Sequence, residues 1–376
     1  MKNTKFYLTC SYSKNAQVKM HFNPLSMKFD HEHVNLPTIP HKKINDNPEF
    51  INILFNDKNV DNNIIKIDNI LKLLKTYTNL IHLKNVEYFC NDPFLYMDEI
   101  KYFHTKINEI CFNKVKGHIS TNGYFINKES VNYLSENNFK ITLQHDGPNQ
   151  KLIKGNKGLH FNLILDLYNN KKSTNNFSIY SILNEKCFRV SKLIHFFIKK
   201  FDQDIQISKI VPSVFLSNDK LINYHNYLYQ DIIKGKTFNN VIEHNFLFET
   251  FKIQVSNPVY IYNPTQFKCH KPQINTLSLD LNGNIYKCNA FYKINNQQLN
   301  HISSLNNINN ICGNTPLDKW HRCGKCVVVT LCRSICPYVK DENCDTKYYT
   351  YFAYFRAFLK LAFDYNLINV EIIKDY

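Results

Sequence analysis

No predominantly apolar stretch of this chain runs uncharged for the ~18 residues that a membrane span requires. The apolar run Phe6 to Leu8, behind two lysines, is far shorter than the apolar segment of a secretory signal. These two absences point to the cytoplasm. No internal repeat of fixed period occurs either, which argues against solenoids and propellers. Nor does any nucleic-acid-binding signature accompany the formal charge of +15. The lysines are scattered among many asparagines and isoleucines, the bias of an AT-rich genome, so the charge by itself assigns no nucleic-acid partner. An acidic peptide is the partner class it leaves open.

What the chain does have is 376 residues with 44% apolar content, enough for one large domain or two ordinary ones around a substantial core. It also has 12 cysteines. In a reducing compartment these do not form a disulfide framework, and their crowding after residue 268 points to metal or cluster ligation.

Residues 5 to 12 alternate and read as a first strand, and Asn23 to Asp61, with its prolines and polar residues, reads as an irregular insertion. From Ile64 onward helix and strand alternate. Helical spacing over Ile64–Leu83 leads to a strand at Val86–Phe89, then a helix near Asp98–Phe112 and a strand near Gly117–Ser120. Helices near Lys128–Glu136, Leu159–Tyr168 and Val190–Phe201 are followed by strands at Lys140–Leu143, Phe177–Leu183 and Ile205–Val211. This alternation predicts an α/β fold with a parallel sheet, either open or closed as a full or partial barrel. Asn218–Glu249 is helical. The run Tyr348–Leu367, with Arg356, Lys360 and Asp364 at four-residue spacing, predicts an amphipathic helix that packs on its own domain.

Between them lie Cys269, Gly283, Cys288, then Cys323, Cys326, Cys332, Cys336 and finally Cys344. Thiolates two to five residues apart converge on one centre through tight turns, and seven exceed a single tetrahedral site. A zinc ribbon from Cys323, Cys326, Cys332 and Cys336, or unligated thiols, are the simpler readings, and sulfur chemistry alone does not separate zinc from iron. The full pattern, C-x13-G-x4-C, a gap, C-x2-C-x5-C-x3-C, a gap and C, resembles the seven-cysteine signature of SPASM domains. These follow the radical-SAM barrel in many peptide-modifying enzymes and hold two auxiliary [4Fe-4S] clusters. Leu277–Cys288 looks like the family's hairpin, with Asn282-Gly283 at its turn, and Trp320 stands where many members carry tryptophan. The resemblance implies that Cys269, Cys288 and Cys336 hold the first cluster, and that Cys323, Cys326, Cys332 and Cys344 hold the second. The first then lacks a fourth cysteine, for which His270 and Cys312 are stand-ins.

The N-terminal part resembles the partial (β/α) barrel of radical-SAM enzymes in outline. Thr121-Asn122-Gly123 and His145-Asp146-Gly147-Pro148 look like two of its segments. The cluster motif C-x3-C-x2-C is degenerate, with Cys10 followed by Lys14 and Gln17, neither a credible iron ligand. The Gly-Gly-Glu-Pro turn reads Cys90-Asn91-Asp92-Pro93, without the glycines that permit close backbone approach. No S-adenosylmethionine cleavage is therefore expected. Cys90 reads as a small buried replacement for glycine or as a nucleophile or redox partner of Cys10, and Cys111 and Cys187 read as core. The expected organisation is a degenerate barrel over 1–240, an iron–sulfur domain over 241–346 and a terminal helix over 347–376.

The whole chain resembles the SPASM-domain peptide maturases of grasp-with-spasm systems, with the pseudo-radical-SAM proteins of Bacteroidales peptide systems as the near rival. That resemblance implies a small ribosomally made precursor peptide and an ATP-grasp ligase as partners. Three roles follow: a peptide-binding maturation factor, a redox enzyme using an open cluster site, and a radical enzyme with unconventional cluster ligands.

Overall fold

The computed structural model describes residues 6–11, 17–23, 28–30, 47–55, 63–90, 92–149, 160–183, 189–212, 217–234, 238–248, 276–286, 298–307 and 344–364. Strands β1 (Phe6–Ser11), β2 (Gln17–Asn23) and β3 (Lys28–Asp30) form a small antiparallel sheet of their own. The main sheet begins at β4 (Phe50–Leu54). It continues through α1 (Asn63–Tyr77), β5 (Asn85–Phe89), α2 (Met97–Ile110), β6 (Lys116–Thr121), α3 (Lys128–Glu136) and β7 (Phe139–Gln144). Then come α4 (Phe161–Lys171), β8 (Phe177–Leu183), α5 (Val190–Lys200), β9 (Ile207–Pro212) and α6 (Asn218–Ile233). A short helical run over 242–248 follows. Strands β10 (Thr276–Asp280), β11 (Asn284–Tyr286) and β12 (Gln298–His301) precede α7 (Cys344–Asp364).

The nine strands are ordered β12-β11-β10-β4-β5-β6-β7-β8-β9. From β4 to β9 every neighbouring pair is parallel and spatial order follows chain order. Because parallel crossovers are right-handed, such an order winds in one direction and puts every connecting helix on the same face. The buried contacts agree. Tyr88 of β5 packs edge-on against Phe103 and stacks with Phe139, and Phe177 of β8 meets Tyr168 of α4. Side chains such as Val86, Ile119, Ile141 and Ile179, fully or almost fully buried on this face, each contribute roughly 1.5–3 kcal/mol.

The segment expected to be an irregular insertion contains β3 and β4. Phe6–Ser11 is a strand, but not the first of the parallel sheet; β4 is. Its pairing partners lie distant in sequence: Phe50 to Leu54 pair with Asn85 to Phe89 on one side and with Thr276 to Asp280 on the other. The sheet thus spans both of the first two segments expected from sequence. The β10–β11 hairpin turns at Gly283, whose φ is +84° and whose absent Cβ leaves room for His301 Nε2, 2.6 Å from where that atom would sit. Asp280 holds the turn by accepting from the Asn282 and Asn284 amides and from the Tyr286 hydroxyl.

Helix α7 packs on α6, as expected of a helix docked on its own domain. Its buried side spans Tyr351 to Phe355, Ala357 and Phe358, wider than a simple stripe. His225 of α6 pins it, with Nδ1 3.1 Å from the Tyr349 carbonyl and Nε2 2.9 Å from Arg356 Nη1. Arginine has only donors, so Nε2 is the acceptor and Nδ1 carries the proton. Burial, and then Arg356, hold the His225 pKa below its usual value, against the raising effect of the Tyr349 carbonyl.

Candidate functional site

The strands that bury apolar residues toward the helices present mostly polar ones on the opposite face. On β5, β6 and β7 the alternation runs Asn85, Glu87, Phe89; Lys116, His118, Ser120; and Lys140, Thr142, Gln144. Each of these side chains is partly or fully accessible. A parallel sheet covered on both faces would read as continuous apolar runs, so the alternation marks a face built to meet water or a polar ligand.

Hydrogen bonds knit that face into a row. Asn52 Nδ2 donates to Ser278 Oγ at 2.8 Å, joining β4 to β10. His118 lies between a carboxylate and a hydroxyl, with Nδ1 3.7 Å from Glu87 Oε1 and Nε2 3.1 Å from Thr142 Oγ1. Thr142 Oγ1 is in turn 3.4 Å from Ser178 Oγ. With the imidazole proton on Nδ1, facing Glu87, Nε2 accepts from Thr142 and Thr142 accepts from Ser178. Asn52, Ser178 and Ser278 are buried, so His118, which can hold a proton, and Thr142 are the groups of this row that can meet a ligand. Beyond it, Lys209 of β9 pairs with Glu243 at 3.2 Å, and Glu243 also accepts from Tyr351 of α7.

At the C-terminal ends of β5 to β7 the loops are fastened to one another. Asp92 Oδ1 accepts from the Phe94 amide at 3.1 Å, capping the turn Pro93–Tyr96, and from the Thr121 hydroxyl at 3.1 Å. Thr121 Oγ1 accepts from the Gly123 amide, so the residues resembling Gly-Gly-Glu-Pro and Thr-Asn-Gly are locked together. Asp92 is 2% exposed, its Oδ2 has no hydrogen-bond partner among the described residues, and burial raises its pKa above the usual carboxylate value. One loop further on, Gly147 donates its amide to His145 Nδ1, and Asp146 Oδ1 accepts from the Ile182 amide. Gly147 has φ of +80°, and a Cβ there would lie 2.2 Å from Leu193 Cδ1. The turn needs glycine for both reasons.

Cys90 is half-buried and packs against the apolar core, in keeping with a small residue replacing glycine. Cys111 is also half-buried, and burial pushes its thiol up to about 11, away from reactivity. Cys10 pairs with Val18, and Gln17 with Ser11, across the β1–β2 hairpin. The positions read as a failed cluster motif therefore do not follow the first parallel strand. The segment that does, residues 55–62 between β4 and α1, contains no cysteine. Cys269, Cys288, Cys323, Cys326, Cys332 and Cys336 lie outside the described residues, as do His270, Cys312, Trp320, Lys14, Asn91 and Cys187. Cys344 is the first residue of α7. Among the described residues no group of His, Cys, Asp and Glu is arranged to hold a metal, and no helix is long and apolar enough to cross a membrane.

No protein-family model matches the chain, and no curated protein does. Solved structures match. Native anSMEcpe with bound AdoMet aligns with a TM-score of 0.55 at 18% identity, covering 84% of this chain and 98% of that one. Native anSMEcpe with bound AdoMet and Cp18Cys peptide aligns at 0.53 and 18%, covering 85% and 98%. The fold is radical-SAM-like. Streptococcus suis SuiB bound to precursor peptide SuiA aligns more loosely, with a TM-score of 0.48 at 16% identity over 79% of this chain and 73% of that one.

The turn segments are legible in the sequence because glycine, proline and aspartate carry strong local signals. Glu87, His118, Thr142, Lys116 and Lys140 carry no such signal and are not among the residues expected from sequence. What marks them is the two-residue alternation inside strands expected to be parallel.

Proposed function

We propose that this chain is a maturation protein for a ribosomally synthesised peptide, holding the precursor on the polar face of its sheet, opposite the connecting helices, without cleaving S-adenosylmethionine. The observation that carries the reading is a contrast. The fold shared with anSMEcpe is retained, and the polar face of its sheet is lined by hydrogen-bonding side chains, whereas residues 55–62 after the first parallel strand have no thiolate to anchor a radical-SAM cluster. Asp92 supports the same view, since one of its carboxylate oxygens is already engaged by Phe94 and Thr121.

In this reading Cys269, Cys288 and Cys336 ligate one auxiliary [4Fe-4S] cluster and Cys323, Cys326, Cys332 and Cys344 a second, as the SPASM-like spacing implies. When bound, such clusters supply electron transfer or structural cross-linking. The chain's own residues do the rest: Thr142, backed by the buried Ser178, orients peptide amides, and His118 buffers a proton beside them. An ATP-grasp ligase of the grasp-with-spasm type would then act on the held peptide.

A radical enzyme is the second reading, favoured by the buried Asp92 Oδ2, without a hydrogen-bond partner among the described residues, and by the AdoMet bound to anSMEcpe. One experiment separates the two. Anaerobically reconstituted protein should bind roughly seven to eight irons with matching sulfide, Cys10→Ala should leave that number nearly unchanged, and reduced protein given S-adenosylmethionine should form no 5′-deoxyadenosine above a no-enzyme control. Deoxyadenosine formation would establish the radical reading, and zinc without labile sulfide would remove the clusters.

A further inference from the structure

The polar face of β6 and β7 carries an unbalanced charge. His118 is the register partner of Lys140 on β7, and Lys116 lies two residues before His118 on the same side of β6. From strand spacing and rise, Lys116 and Lys140 are diagonal neighbours with Cα atoms roughly 8 Å apart, so their long side chains reach a common point beside His118. Among the described residues neither ammonium is paired with a carboxylate. Glu87 sits across β6 from Lys140, facing His118, and the register partner of Lys116 is the neutral Asn85. Each remaining basic group nearby has its own partners: Lys209 is held by Glu243, and Lys171 donates to the Ser135 and Asn137 carbonyls. Burial and then the neighbouring Lys140 lower the Lys116 pKa.

We propose that Lys116 and Lys140 form a carboxylate-binding position that selects an acidic side chain of the peptide lying along His118 and Thr142, the partly accessible groups of the polar row. The inference rests on the reading that this face binds peptide, and it adds the side-chain class the face prefers. A carboxylate placed there relieves the repulsion between the two ammoniums, and both can donate to it. The Thr142 hydroxyl is uncharged and serves any sequence, so discrimination falls to the lysines.

The test uses the full chain and two fluorescein-labelled peptides rich in glycine, serine and threonine, one carrying glutamates and the other glutamine at the same positions. At low salt the acidic probe should bind the unaltered protein about tenfold more tightly than the neutral one. Lys116→Gln with Lys140→Gln should erase that preference while leaving the neutral probe's affinity unchanged, and Lys116→Arg with Lys140→Arg should keep it. Lys199→Gln with Lys200→Gln, the same loss of charge on the helical side, should preserve the preference. If the neutral probe binds normally but the preference survives Lys116→Gln/Lys140→Gln, or is lost equally in the Lys199/Lys200 control, the carboxylate position is refuted while peptide binding stands. If neither probe binds the unaltered protein, the peptide-binding reading fails and this inference with it. Displacement of the acidic probe by equimolar inorganic phosphate would assign the lysines to a free anion and overturn the proposal.

Discussion

At Gly147 two requirements meet in one residue: a backbone angle that an L side chain rarely adopts, and contact with Leu193 that leaves no space for a methyl group. Gly147→Ala should destabilise the protein by roughly 1–3 kcal/mol, read as a lower urea midpoint with unchanged slope. Adding Leu193→Ala should remove the steric part alone, so the double variant should be more stable than the sum of the single losses predicts. The segment was legible in sequence because glycine and proline announce a tight turn whatever surrounds it. The polar face was not. Lys116, His118 and Thr142 each look like the wet side of a half-buried strand, and only the sequential order of the strands shows that they share one surface. The seven cysteines form the opposite case, a pattern written plainly in the sequence whose residues, apart from the start of α7 at Cys344, lie outside the described structure.

Among elements, every helix and strand from α1 to β9 could be anticipated from its periodicity, because each carries its own apolar side. Strand β4 could not. Phe50–Leu54 is short, follows Pro48, and places the polar Asn52 at its centre; what makes it a strand is pairing with β5 and β10. Helix α7 illustrates how magnitude separates similar-looking charges. Arg356 donates to His225 and lies over the Tyr229 ring, 4.6 Å from its centroid, in a half-buried interface. The exposed Lys360 pairs with Asp364 at 2.9 Å. Arg356→Ala should therefore cost about 1–3 kcal/mol, and Lys360→Ala no more than about 0.5 kcal/mol. Thermal denaturation of the two variants checks the difference, and equal effects would refute the latch between α6 and α7.

For the molecule as a whole, buried histidines set an acid limit. Burial brings His104, beside the Tyr88 hydroxyl, and His244, among Phe248, Tyr354 and Phe358, down to about 4 from 6.5, and His225 is lowered as well. Between those values the unfolded chain binds protons that the folded one refuses, so stability is complete above about pH 6.5 and falls as the pH drops toward 4. Asp92, with its raised pKa, works in the opposite direction and offsets part of the loss. Each of the first two histidines should cost about 2 kcal/mol by pH 5. Urea unfolding at pH 7.5 and 5.0 measures the sum, and His244→Phe should shrink the difference by about that amount.

The pairing of β4 with β10 also bears on how the chain is made. Asn52 and Ser278 are 226 residues apart, and a ribosome adding about 5–20 residues per second would need roughly 10–45 s to cover that interval. Throughout it, one edge of β4 would wait with its amides and carbonyls uncovered, beside five parallel strands already able to assemble. During synthesis the nascent protein therefore offers a sticky sheet edge, and its yield in a cell should depend on whatever shields that edge until the β10 segment arrives.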